Sequence, residues 1–165
     1  MGRSGRLATC RVDSDCRCSR IRRQDGQGGV RSVASSNLHI QVKEMITTKS
    51  LSNGFAAFQD PWSPKVAGDV NDMQIKLVKL QGTFIWHSHD EEDELFLVIS
   101  GRLRMEFRDQ EAQLVRPGEF IIVPHGVEHR PVAEEPCEVV LLEPNTTVNT
   151  GNVASGRTVR HLERI

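Results

Sequence analysis

Residues 86–101 read WHSHDEEDELFLVISG. His87 and His89 stand one residue apart and are followed by five consecutive acidic residues, Asp90 to Glu94. Imidazole and carboxylate together can hold a divalent cation, and imidazole can also carry a proton near neutral pH. The same composition also makes an ordinary solvated turn, so the chemistry depends on where the backbone aims these groups. Side chains two apart on a strand share a face. On strands, His87 and His89 point the same way with Ile85 behind them, and Glu94 falls on the face of Phe96 and Val98.

The elements that would position these groups are short strands. From Met73 onward the chain divides into MQIKLVKL, TFIWHSH, ELFLVI, RLRMEF, AQLV, EFIIV, EHRPVA and CEVVLL. Turn signals cut these runs at Gln81-Gly82, Ser100-Gly101, Arg108-Asp109, Arg116-Pro117-Gly118, Pro124-His125-Gly126 and Glu143-Pro144. Regularly spaced runs of this kind predict an all-β sandwich or barrel. Only ASGRTVRHLERI, near the C-terminus, has some helical character. In RLRMEF, residues Leu103, Met105 and Phe107 alternate with polar neighbours, the pattern of a half-buried strand. ELFLVI and EFIIV are apolar on both faces, which predicts a second cover. That cover is either another subunit meeting Phe84, Trp86, Leu95 and Leu97, or the chain's own residues 46–72 and C-terminal tail.

The chain's 165 residues suit one domain with a tail. Residues 1–44 hold nine Lys or Arg against four Asp or Glu, and the remainder holds twelve against eighteen. The first segment has no aromatic residue and is rich in Arg, Ser and Gly, so it is expected to be a disordered basic tail. It has neither a secretory apolar core nor a myristoylation signal, and its aspartates argue against a transit peptide. The reading favoured here takes Met45 as the physiological start, with a single domain over 45–165. Cys10, Cys16 and Cys18 lack the spacing of zinc modules, and Cys137 sits in an apolar run. No disulfide framework is implied, so a cytoplasmic setting is the default. An acidic folded part with core-like aromatics excludes nucleic acid as a partner, and no stretch is long enough to span a bilayer.

Two spaced sets of residues then stand out. His87, His89, Glu94 and Gly101 are separated by one, four and six residues, and Gly118, Pro124, Gly126 and His129 by five, one and two. Together they closely resemble the two motifs of the cupin superfamily, over roughly residues 73–143. The resemblance implies an all-β jelly-roll barrel binding one metal ion through His87, His89, Glu94 and His129. The phrases WSPK, DELFLV, VPHGVEH and NTGN resemble a small single-domain branch labelled mannose-6-phosphate isomerase-like. Two positions depart from the pattern. Gly82 lies one residue closer to the first histidine than usual, and Ala133 replaces an asparagine that serves a turn.

Three imidazoles and a carboxylate suit Fe, Mn, Zn, Ni or Cu, and such a set leaves coordination positions open for substrate. Asp90, Glu91, Glu92 and Asp93 are read as rim residues, and Gly101, Gly118 and Gly126 as turn residues. Three functions stay open. The first is a metalloenzyme acting on a small oxygen-rich molecule, by dioxygenase or isomerase chemistry. The others are a small-ligand-binding or sensory module and a metal-stabilised barrel. Isomerisation needs a base near the ion. By strand phase Lys79 is the candidate lysine, with His125 or Glu128 as further acid–base groups. A mostly apolar inner face argues against a sugar phosphate, although Arg104 or Arg130 could enter to hold one. A homodimer is expected.

Overall fold

The computed structural model describes residues 46–165, and the expectations for the basic tail and for Cys10, Cys16 and Cys18 fall outside that range. The described chain carries one short helix, α1 (Leu51–Ala56), and seven strands. These are β1 (Lys65–Val70), β2 (Met73–Thr83), β3 (Glu94–Ser100), β4 (Leu103–Phe107), β5 (Gln113–Val115), β6 (Phe120–Val123) and β7 (His129–Pro144). The all-β class holds, as an antiparallel barrel. Among the described residues no helix is long and apolar enough to cross a membrane.

Strand β7 organises the barrel. The two expected runs EHRPVA and CEVVLL form one strand of 16 residues. Its first part pairs with β4, His129 opposite Phe107, and its later part pairs with β3, Val139 opposite Val98. Along its other edge β7 pairs with β2, and that ladder is interrupted between Leu80 and Gly82. There the exposed residues Glu134–Pro136 turn a corner. The two departures from the motif pattern meet at this corner, since Gly82 pairs with Ala133. Ala133 is wholly buried within the strand, so no turn falls at the position where the asparagine is replaced. Gly82, at φ +81°, absorbs the irregularity.

Inside the barrel, Val78, Leu80, Phe96, Val98, Leu103, Met105, Val123 and Val139 form the main core. A second cluster lies outside the same strands, where Phe55 of α1 and Phe58 pack with Leu77, Val140 and Leu97. Residues 46–72 therefore supply much of the cover that the two-faced strands required. Ser50 starts α1 by accepting from the Asn53 N–H at 3.3 Å, a side-chain cap for a free helix-end donor. Phe84 turns inward and stacks on Trp62 at 4.8 Å between ring centroids, so it is not an outer contact residue. Trp86 is flanked by the guanidinium groups of Arg108 and Arg130, 3.9 and 4.7 Å from its ring centroid. On β6, Phe120 and Ile122 are 61% and 52% exposed, so that outer strip stays open among the described residues.

Two expected elements are not formed. TFIWHSH is not a full strand; β2 ends at Thr83, and His87 joins the sheet through a single bridge to His129. The C-terminal ASGRTVRHLERI is not helical. It is irregular, with a turn at 156–157, and only its last residues reach β1, where Ile165 N–H donates to the Val66 carbonyl at 3.0 Å.

Candidate metal centre

The bridge between His87 and His129 is the geometric root of the site. Each backbone N–H donates to the other residue's carbonyl, at 3.1 and 2.9 Å, which sets the two imidazoles side by side with ring centroids 4.3 Å apart. His89 follows on the same face, and Glu94 enters as the first residue of β3, paired with Val123 of β6. The four side chains are 1–4% exposed. One ligand atom from each lies within 4.8 Å of all the others, so the fold brings His87, His89, Glu94 and His129 together.

Local hydrogen bonds choose the ring nitrogens that face inward. His87 Nδ1 is 3.1 Å from the Ile85 carbonyl and His129 Nδ1 is 3.0 Å from the Val127 carbonyl. A carbonyl can only accept, so each Nδ1 carries the hydrogen and each Nε2 presents its lone pair. Glu94 Oε2 lies 3.1 Å from Nε2 of both His89 and His129. Burial pushes the Glu94 carboxyl up, but the pull of His129 and His89 outweighs it and holds the group well below the usual carboxylate range. Burial, helped by repulsion from His129, pushes the His87 imidazole down to about 4. Near neutral pH both groups are therefore in the protonation state that binds a cation.

The fit to a metal rests on unpartnered atoms. His89 Nε2, Glu94 Oε2 and His129 Nε2 are buried and have no hydrogen-bond partner. His129 Nε2 and Glu94 Oε2 are two acceptors facing one point beside His89 Nε2 with no hydrogen between them, a costly arrangement. A divalent cation at that point satisfies all of them, and nitrogen with carboxylate oxygen is a donor set that Zn, Fe, Mn or Ni accepts.

His89 is positioned by a segment the sequence reading passed over. Asn152 N–H donates to the Ser88 carbonyl at 3.0 Å, and its side chain bonds the Ser88 N–H and hydroxyl at 3.3 and 3.0 Å. Gly151 lies so close that a Cβ there would come within 2.0 Å of the Ser88 oxygen and 3.3 Å of His89 Cε1. The phrase NTGN thus clasps the ligand loop from outside.

A narrow cavity of about 40 Å³ opens beside the ligands. Its walls include Trp62, Phe84, Phe96, Leu141, His87 and Glu94. Two polar residues missed from sequence also reach it: Asn149 and Glu143 line the wall, and Lys76 pairs with Glu143 at 2.7 Å. A charged residue on the inward phase of an apolar strand was the available signal, since Lys76 shares a face with Val78 and Leu80.

The expected acid–base and phosphate-holding groups lie elsewhere. Lys79 reaches Gln59 at 3.3 Å and lies over the Phe58 ring, on the outer face. Both faces of β2 are buried, one by the core and one by α1, so apolarity could not fix its phase. His125 is exposed and bound to Asp93 at 2.8 Å, and Glu128 pairs with Arg108 at 3.3 Å. Arg104 and Arg130 both bind Glu106. None of these five lines the cavity. The acidic rim stays outside the ligand group, with Asp93 also accepting from the His125 N–H and Glu92 from Thr146. Gly101, Gly118 and Gly126 adopt φ of +76°, +82° and +75°, as their turns require.

Comparison with known proteins agrees with this geometry. Residues 76–143 match the family model of a cupin domain. Protein YdbB of Bacillus subtilis is 36% identical over 62 residues, a match covering 38% of this chain and 55% of that protein, so the chain spans about half the length of this curated relative. A protein from Neisseria meningitidis is similar at 33% identity and TM-score 0.56, over 60% of this chain and 100% of that one. A cupin-2 domain containing protein from Shewanella frigidimarina is similar at 42% identity and TM-score 0.57, over 59% of this chain and 94% of that one. The barrel, the converging ligands and these relatives lead to one statement: the chain belongs to the cupin superfamily as a small cupin-2 domain.

Proposed function

We propose that this cupin domain is a metal-dependent enzyme for a small, oxygen-bearing and partly apolar molecule, working by dioxygenase or isomerase chemistry. The observation that supports it most is the set of three orphaned, buried ligand atoms beside a cavity walled mainly by aromatic and aliphatic side chains. A bound divalent ion would supply Lewis acidity, and iron would add redox capacity. His87, His89, Glu94 and His129 would hold the ion. Trp62, Phe84 and Phe96 would exclude water and seat the apolar body of the substrate, while Asn149 offers a polar contact at the wall.

A sugar-phosphate isomerase of the mannose-6-phosphate type fits less well. Such a substrate needs a cation to hold its phosphate, and the buried cation near the cavity, Lys76, is already engaged by Glu143. The test is to measure metal content in protein purified without added metal. The protein is then loaded with Fe2+, Mn2+, Ni2+ or Zn2+ and screened against small phenols, hydroxy acids and mannose 6-phosphate, following oxygen uptake and product. Metal near one equivalent with turnover of a small apolar compound is the expected result. Rapid turnover of mannose 6-phosphate would overturn the substrate reading. Ligand binding without turnover would make the domain a sensor, and failure to hold any metal would end the proposal.

The setting and partner belong to the same reading. Cys137 is a buried thiol, free among the described residues, that burial pushes up to about 11, which suits the reducing cytoplasm. A second copy of the chain, meeting across Phe120 and Ile122 on β6, is the proposed partner. A monomer by light scattering at micromolar concentration would count against it.

A further inference from the structure

We propose that Trp62 is the specificity-determining residue of the cavity, a size filter that admits short acyclic oxygen-bearing molecules to the metal ligands and turns ring-sized ones away. The inference rests on the metal-site reading above and narrows its substrate class. Of the residues lining the cavity, Trp62 and Asn149 are half-buried and the others are buried, so the mouth lies between these two. Inside, His87 and Glu94 share the wall with Phe84 and Phe96. The space amounts to about 40 Å³. A water needs roughly 10–15 Å³, so the cavity takes about three water-sized groups and no aromatic ring.

Trp62 sits at φ +61°, in the left-handed region, where a bulky side chain is strained and glycine or asparagine would sit easily. The turn by itself therefore gives no reason for tryptophan; the indole does. Three contacts hold it in place. Its N–H donates to the Lys79 carbonyl and its Nε1–H to the Gln81 carbonyl, each at 2.9 Å, and its ring stacks on Phe84 with 23° between the planes. Phe84 in turn meets the His87 imidazole edge-on, with ring centroids 5.4 Å apart, so the stack runs from the mouth to a ligand. The other side of the mouth is fixed as well. Asn149 Nδ2 donates to the Arg157 carbonyl at 2.9 Å, and its Oδ1 accepts from the Val159 N–H at 2.8 Å. Arg157 then reaches back across, donating to the Thr83 carbonyl at 2.8 Å with its guanidinium 5.6 Å from the Phe84 ring centroid. With both sides pinned, the volume of one side chain, the indole, sets the gap.

The experiment uses two probes that share one metal-binding head and differ in body, acetohydroxamate and benzohydroxamate. Each is titrated into the Co2+-loaded full chain, followed by the visible d–d absorption of the ion, and its affinity is taken relative to that for free Co2+. The wild type should favour acetohydroxamate by at least about 10-fold, the cost of forcing a ring into a filled space. Trp62→Gly removes the indole and relieves the backbone, and should erase that preference by strengthening benzohydroxamate rather than by weakening acetohydroxamate. Trp62→Phe keeps a smaller ring on Phe84 and should reduce the preference part-way. A preference that survives both substitutions, or a loss that weakens both probes together, overturns the proposal. So does equal binding of the two probes by the wild type, and so does bound Co2+ that neither probe reaches. Failure of the wild type to bind Co2+ at all would instead sink the metal reading, and this inference with it. Should neither variant fold, a crystal structure of the Co2+-loaded wild type at saturating benzohydroxamate decides. An indole displaced from Phe84, or a cavity without the ring, upholds the filter, and a ring seated beside an undisturbed indole overturns it.

Discussion

The two faces of strand β3 carry different kinds of information. Inward, Glu94, Phe96 and Val98 join a wall where each position has a fixed partner: a ligand atom at 3.1 Å, a core side chain, a ladder neighbour. Outward, Leu95, Leu97 and Ile99 are half-buried; Leu97 and Ile99 lie under the α1 cluster, and the outer strip continues to exposed Phe120 and Ile122 on β6. The inner face is specified by direction and distance, which ligand chemistry demands. The outer face asks only for apolar cover, which any apolar segment can provide. Function should therefore fail separately from stability when the two faces are altered.

The largest effect tests the inner face. His129→Ala removes a ligand and the orphaned atom opposite Glu94, and should abolish stoichiometric metal by elemental analysis while the far-ultraviolet circular dichroism stays β-rich. Retention of one tight equivalent would break the distinction. The converse substitution lies outside. Phe55→Ala empties a fully buried site in the α1 cluster and should cost about 3–5 kcal/mol by urea denaturation, with metal affinity unchanged.

Acid provides a third separation. Folded His87 titrates near 4, against 6.5 for the unfolded side chain. Between those values the unfolded chain holds a proton that the folded one refuses. Stability present above pH 6.5 is therefore lost as pH falls toward 4, by about 3 kcal/mol. Metal-free protein should show that slope in its melting temperature, and His87→Gln should flatten it. A slope that survives the substitution would point to other groups.

The smallest expected change sharpens the inner face. Gly151→Ala forces a Cβ against the Ser88 carbonyl at a residue with φ +48°, for about 1–3 kcal/mol. Because the added Cβ would also press on His89 Cε1, metal affinity should weaken with it, whereas an equal stability loss made in α1 should leave affinity alone.

The same contrast explains what could be read from sequence. The four candidate ligands were legible because their spacing resembles the two cupin motifs, and strand phase separately puts His87 and His89 on one face. Breaks at Gly101, Gly118 and Gly126 were legible because each needs a backbone angle that glycine adopts freely. The cover was not. Helix α1 is a single short turn-and-a-half whose apolar content resembles loop sequence, and its presence made β2 apolar on both faces. That hid which lysine points inward, so Lys79 was favoured and Lys76 with Glu143 was overlooked. The clasp from Asn152 to Ser88 spans 64 residues, a separation no local pattern encodes.

Strand β7 begins with His129 and carries Glu143 near its far end. Successive side chains on a strand alternate sides, so one residue added or removed within either paired stretch of β7 would turn its side chains through the sheet. Either the His129 imidazole or the Glu143 carboxyl would then turn away from the barrel interior. Natural relatives and engineered variants should accordingly vary in length at the exposed corner Glu134–Pro136, where the ladder is already interrupted, and keep strict length on either side of it.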